Sequence, residues 1–142
     1  MGNDKAMKNL PNIPTSWEEL QELREYLSDC DPVFLRLPED KLFYELFRQL
    51  VPRDKALEII HQQIGEQEIA LIKNNFPYSY ILQHLPDVVH YCLWSKKGAL
   101  SEEKIKQQVQ LRFPNSIWFF SERKVNHKSV PEIWHCHIFI HQ

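Results

Sequence analysis

The residues best suited to chemistry stand near the carboxy-terminal end, in Ile133-Trp134-His135-Cys136-His137-Ile138-Phe139-Ile140-His141. β-Branched and aromatic residues dominate this run, which predicts a strand from about Glu132 to His141. Side chains alternate along a strand. Ile133, His135, His137, Phe139 and His141 therefore share one face, and Trp134, Cys136, Ile138 and Ile140 the other. His135 and His137 then have Cα atoms about 6.6–6.8 Å apart, so their rings can converge on one ligand or one ion. His141 lies about 13 Å beyond His137 at the same rise and reads as a terminal, solvated residue. A second strand, Asp87 to Trp94, puts Val88, His90, Cys92 and Trp94 on one face and Val89, Tyr91 and Leu93 on the other. If it pairs beside the last strand with the same facing, His90 joins His135 and His137. Cys92 then shares their face while Cys136 points away, which excludes a Cys92–Cys136 disulfide in that register.

Three chemistries stand open for this cluster. His90, His135 and His137 are a candidate metal set, since three neutral imidazoles hold zinc, manganese or iron. The same three are candidate catalytic residues without a metal, as nucleophile or general acid and base near neutral pH. Buried strand histidines are also often structural, each bonding a carbonyl or a neighbouring side chain. The order His-Cys-His-Ile-Phe faintly echoes the histidine-triad nucleotide hydrolases, but Phe139 stands where the third His would be and breaks the analogy.

Other polar residues gather near these strands. Asn75 and Tyr78, in Asn75-Phe76-Pro77-Tyr78, are candidates for a pocket rim. Trp94, Ser95 and Lys96 end a strand, where ligand sites commonly border. Lys128 and Ser129 close a basic connection that also holds Arg123, Lys124 and His127. With Lys96 this suits a phosphorylated or carboxylated ligand, and the patch is too small for duplex nucleic acid. Glu132 and Asp87 are the nearest carboxylates that could orient an imidazole. The GxGxxG, P-loop, GxSxG and HExxH patterns do not occur, so dinucleotide, ATP-loop, serine-hydrolase and zincin chemistry lack their usual marks.

Residues 1–14 are polar with Pro11 and Pro14 and predict a flexible arm. Residues 15–142 predict one domain, helical over 15–75 and sheet-containing over 76–142. Ser16 with Glu19 three positions on is a capping box opening a helix to about Asp29. Pro38-Glu39-Asp40 opens a second helix whose stripe of Leu42, Phe43, Leu46, Phe47 and Leu50 predicts core. A third and longer helix is expected from about Arg53 to Asn74, with a kink at Gly65. Ser101-Glu102-Glu103 caps a short helix to about Arg112, and Ser116 to Phe120 is a strand. The fold class is α+β, with N-terminal helices packed on a small, mostly antiparallel sheet in the order ααα-β-α-β-β.

Composition sets the bounds. At 142 residues and 17.1 kDa the chain argues for one domain with a real core. Hydrophobic residues at 43% and charged residues at 25% exclude wholesale disorder. A net charge of -2 and a pI near 6.4 give no strongly basic footprint. No apolar run approaches the ~20 residues of a spanning helix. Met1 to Leu10 holds no apolar signal core. Three cysteines without CxxC spacing suit free thiols in a reducing compartment, so a cytoplasmic protein is expected, with no membrane association.

Three patches in order carry a resemblance. They are Ile72-Lys73-Asn74-Asn75-Phe76-Pro77-Tyr78, then Pro86-Asp87-Val88-Val89-His90-Tyr91-Cys92-Leu93-Trp94-Ser95-Lys96, and last Ser129-Val130 through Ile133 to Ile140. Over about residues 70–141 the chain resembles the DUF3605 family, also called the N-acetylglucosamine-induced protein 1 family. The family pattern is N-x-F-P-Y, V-x-H-x-x-x-W-S, a strand with Trp-Phe (here Trp118-Phe119) and a terminal S-V-x-x-I-P-H-x-H-V. Trp134 departs from it, standing where the family has Pro. The resemblance implies a fold and a set of functional positions but no established reaction. Together these readings predict a small polar or anionic ligand, such as a sugar or nucleotide-sugar phosphate, at a His-lined pocket, with turnover an open question. A non-enzymatic protein-interaction module with structural histidines is the alternative. A transition-metal-dependent hydrolase is the third.

Overall fold

A computed structural model describes residues 13–29, 35–124 and 130–142. The first twelve residues of the expected arm, and Lys128 and Ser129 of the basic connection, lie outside the described residues. The described chain is α+β. Its order is α1 (Trp17–Glu22), α2 (Arg24–Asp29), α3 (Pro38–Leu50), α4 (Arg53–Ile64), β1 (Ile69–Lys73), β2 (Val88–Ser95), α5 (Glu102–Arg112), β3 (Ile117–Ser121) and β4 (Trp134–His141).

Local chemistry explains most boundaries. Ser16 Oγ accepts from the Glu19 N–H at 3.2 Å, and the Glu19 carboxylate reaches back to the Thr15 N–H at 2.9 Å. The predicted box therefore forms, shifted by one residue at its return bond. The single predicted helix to Asp29 divides at Leu23, where the backbone leaves helical geometry. Ser101 Oγ caps α5 through the Lys104 N–H at 3.2 Å.

The long third helix is a correction. It stops at Ile64 rather than Asn74, because Gly65 takes φ 68° and caps the helix through a bond to the His61 carbonyl. The run Ile69-Ala70-Leu71-Ile72 then pairs as a strand. A short apolar run of this kind fits helix or strand equally by periodicity, and Gly65 decides between them.

The four strands form one antiparallel sheet in the order β1-β2-β4-β3. Its register sets Cys92 opposite His137, His90 opposite Phe139 and Trp94 opposite His135. One face carries Tyr91, Leu93, Cys136, Ile138 and Ile140 and packs on Ile105 and Val109 of α5. The other face carries the histidines. Trp17, Leu20 and Leu27 of α1 and α2, with Tyr78, Ile81 and Leu85 of the segment before β2, cover one end of it. Ile60 and Ile64 of α4 cover the other end, against Ala70, Cys92 and Trp94. The histidines lie between two apolar clusters. His141 is not a solvated terminal residue: its ring stacks on Trp17 at 5.3 Å.

The α3 stripe is a second correction. No residue of α3 is buried, and Leu42, Phe43 and Leu50 are 58%, 65% and 76% exposed. Tyr44 and Phe47 touch the rest of the protein through Phe76, at ring separations of 4.9 and 5.1 Å. The helix is amphipathic, as read, but its apolar face is largely left open.

Candidate functional site

The centre of the site is a chain of hydrogen bonds whose direction follows from one main-chain group. The Tyr78 N–H donates to His90 Nδ1 at 3.2 Å. A backbone amide can only donate, so Nδ1 of a neutral His90 holds its lone pair and Nε2 carries the proton. His90 Nε2–H then donates to His137 Nδ1, 2.8 Å away. His137 in turn carries its proton on Nε2, which faces the Tyr78 hydroxyl at 3.1 Å. Both imidazoles are buried, as is Tyr78. Burial holds His90 well below the usual imidazole range, helped by the nearby Arg36 guanidinium. Burial does the same for His137, with His90, His135, Arg123 and Arg36 adding to it. At neutral pH the pair is uncharged, as the tautomer argument requires.

Asn74 and Cys92 complete this cluster. Asn74 extends the β1 alternation and bonds the His90 carbonyl through its own N–H. Its Oδ1 accepts from the Phe76 N–H at 2.7 Å, which fixes the amide so that Nδ2 donates to Cys92 Sγ at 3.2 Å; the 3.3 Å approach of the same Nδ2 to His90 Nε2 is a contact between two donors, not a hydrogen bond. Burial pushes the Cys92 thiol up to about 12, against the opposing pull of the Asn74 amide and Arg36.

Spacing alone makes a metal site conceivable here, since ligand atoms of His90, Cys92 and His137 lie within 4.8 Å of one another. The chemistry of the donors does not fit one. An imidazole that ligates through one nitrogen presents an N–H from the other to an acceptor. His90 does the reverse, because Nδ1 faces the Tyr78 N–H donor. The 2.8 Å between His90 Nε2 and His137 Nδ1 is a hydrogen bond, shorter than the ~3.3 Å that two nitrogens about 2.0 Å from one zinc ion would keep. The expected metal set of His90, His135 and His137 is corrected on membership too, since Cys92 takes the place of His135.

His135 has a separate setting. Its Nδ1 faces the Ile133 carbonyl at 3.0 Å, so Nδ1 carries the proton and Nε2 the lone pair. Its ring stacks on Trp94 at 4.3 Å and meets His137 edge-on at 5.9 Å. His135 and His137 both line a cleft of about 120 Å³ between α3, α4 and this face of the sheet, while His90 lies behind His137, outside the lining. Phe47, Phe76, Ile59, Ile60 and Trp94 supply apolar wall. Arg36, Arg48, Arg53 and Lys73 also line it, and among the described residues no carboxylate does.

Arg36 is the distinctive group. Its Nε donates to the Phe76 carbonyl at 2.9 Å, and its guanidinium stacks over Tyr44 at 4.2 Å and Tyr78 at 5.3 Å. Burial lowers its pKa, with tyrosines 78 and 44 as the leading opposition. No carboxylate among the described residues pairs with it. Arg53, by contrast, is held by both its Nε and Nη2 on the Glu132 carboxylate.

The structure brings His90, His137, Tyr78, His135 and Trp94 together, keeps Asn75 in the lining of the same cleft, and sets Ser95 and Lys96 apart from it. Asn75 is exposed and exchanges amide bonds with Gln63 at 3.1 and 3.2 Å, at the cleft edge. Ser95 is buried and accepts from the Lys97 N–H, and Lys96 Nζ donates to the Gly65 carbonyl at 2.7 Å. Neither lines this cleft; both tie the α4–β1 turn to the end of β2 and face a separate hollow beside His61 and Glu132. Arg123 donates to the Leu27 carbonyl and Lys124 pairs with Asp29, so both anchor α2. Glu132 serves Arg53 rather than an imidazole, and the Asp87 carbonyl receives the Gln142 N–H. Sequence reasoning missed Arg36, which precedes α3 with no periodic signal of its own. It also chose Asn75 over Asn74, although the Asn of the N-x-F-P-Y pattern falls on Asn74 and two-residue alternation places it once β1 is recognised as a strand.

No protein-family model matches the chain, and no curated protein does. A solved structure described as "Crystal Structure of HTC1" is similar over 89% of this chain and 84% of that chain, at 19% identity with a TM-score of 0.57. At that identity the likeness shows the fold alone.

Proposed function

We propose that the cleft binds a small anionic molecule, with Arg36 as the principal anchor. The observation that carries this reading is the Arg36 guanidinium, desolvated against two tyrosines and without a carboxylate partner among the described residues. An unpaired, partly buried cation is costly, and an arriving phosphate or carboxylate offsets that cost through charge-assisted bonds. Arg48 and Lys73 in the same lining add to the attraction, while Arg53 is already neutralised by Glu132. His135, its Nε2 lone pair fixed by the Ile133 carbonyl, is the candidate to accept a proton or hydrogen bond from the ligand. It is also the residue on which any turnover would depend.

Membership of the DUF3605 family belongs to the same proposal. Its support is that Asn74, Phe76 and Tyr78, then His90 and Trp94, then His135 and His137 come from three separated patches and meet at one site. A sugar or nucleotide-sugar phosphate is the ligand that this membership suggests. The buried thiol of Cys92 supports a reducing, cytoplasmic setting, and no described helix is long and apolar enough to cross a membrane. The second reading is a protein-interaction module, favoured by the open apolar face of α3.

Thermal-shift titration with inorganic phosphate, sugar phosphates and nucleotides tests the first reading. A ligand present at a hundred times its Kd stabilises by about 2.7 kcal/mol, and Arg36→Met should abolish that shift. No shift with any anion, or an equal shift in Arg36→Met, contradicts the reading.

A further inference from the structure

The open face of α3 runs into the cleft. Phe43 and Phe47 pack on Phe76 at 5.9 and 5.1 Å, and Phe47, Phe76 and the part-exposed Ile59 line the cleft itself. Leu46 and Leu50 continue the strip at helical spacing from Phe43 and Phe47, 42% and 76% exposed. One apolar track thus leads from the cleft to solvent, and the cleft end of it holds Arg36, Arg48 and Lys73, with Arg53 neutralised by Glu132 and no carboxylate in the lining itself among the described residues.

We propose that the cleft takes a phosphate monoester of a single apolar chain. The phosphate sits on the Arg36 guanidinium, and the chain runs along Phe47, Phe76 and Ile59 and out over Leu46 and Leu50. This rests on the anion-binding reading and narrows it. A phosphate monoester carries about -1.5 to -2 charges at neutral pH, which answers several cations, whereas a carboxylate answers one. An apolar chain also accounts for large side chains on α3 that the fold itself leaves uncovered, a patch otherwise unfavourable in water.

Calorimetric titration of the full chain with butyl phosphate, octyl phosphate and octanoate, below micelle-forming concentrations, decides it. A fully buried methylene is worth about fourfold in affinity, so octyl phosphate should bind at least ~10-fold tighter than butyl phosphate even along a half-covered track. Octanoate should bind at least ~10-fold more weakly than octyl phosphate. The double change Leu46→Gln and Leu50→Gln, at exposed positions, should erase the octyl advantage and leave butyl phosphate binding unchanged. Arg36→Met should weaken both phosphates. Equal affinities for butyl and octyl phosphate, or an octyl advantage that survives the double change, overturn the chain and leave anion binding standing. Octanoate binding as tightly as octyl phosphate overturns the phosphate. No binding of any of the three overturns this proposal together with the reading beneath it.

Discussion

Tyr78 governs the site twice, through its main-chain N–H on His90 and its hydroxyl on His137. Tyr78→Phe keeps the first contact and leaves the buried His137 Nε2–H without its partner. The expected loss is roughly 1–3 kcal/mol, read by chemical denaturation. Protonation acts on the same pair. Unfolded imidazoles titrate near 6.5, and both folded ones titrate well below that. The unfolded chain therefore binds more protons once the pH drops under about 6.5. Stability should be flat above that value and fall beneath it, by up to about 1.4 kcal/mol per pH unit for each histidine. Denaturation midpoints that do not change between pH 7 and pH 5 would contradict the buried neutral pair. The tautomers also predict that protein purified without a His tag carries no stoichiometric metal by elemental analysis and gains no stability from added Zn²⁺, whereas tight zinc binding lost in His90→Ala would overturn the hydrogen-bond assignment. Legibility at this scale divides cleanly. Period two places His90, Cys92, His135 and His137 on one face, because alternation is local to each strand. It cannot say that Cys92 lies opposite His137, or that the His135 ring turns to Trp94, because cross-strand register and ring stacking come from distant parts of the chain.

Single residues decide where the elements end. Gly65 sits at φ 68°, with the nearest atom to an added Cβ being the Gln62 carbonyl oxygen at 4.0 Å. Space is not the obstacle, so Gly65→Ala should cost about 1–3 kcal/mol through backbone strain at positive φ and ψ −140°, measurable as a shift in the urea midpoint. A neutral effect would mean that the α4 stop lies elsewhere. Capping signals at Ser16 and Ser101 are legible because cap chemistry is confined to three or four residues. The end of α4 and the start of β1 are harder, since Ile69 to Ile72 satisfies both periods and the choice is made by pairing with β2. Amphipathicity of α3 is equally legible, but what its apolar face meets is a tertiary matter. Here that face meets Phe76 and open cleft rather than core.

At the scale of the whole molecule, the sheet separates two tasks. The face toward α5 forms one apolar cluster, while the opposite face splits its core in two and leaves imidazoles and a cation between the halves. Arg36 reaches that gap from the segment before α3 and meets Phe76, forty residues further along the chain. No local pattern announces such a contact, which is why the α+β class is readable from the sequence while the anion anchor is not. The most direct measurement of the central claim, a neutral imidazole pair beside an Arg36 anion site, is the nitrogen-15 spectrum of the histidine rings and the Arg36 side chain during titration with inorganic phosphate. His90 and His137 should be neutral and protonated on Nε2, His135 protonated on Nδ1, and the Arg36 Nε resonance should move to saturation with phosphate. A His90 ring protonated on Nδ1, or an Arg36 resonance that stays still while phosphate binds elsewhere, would contradict that claim.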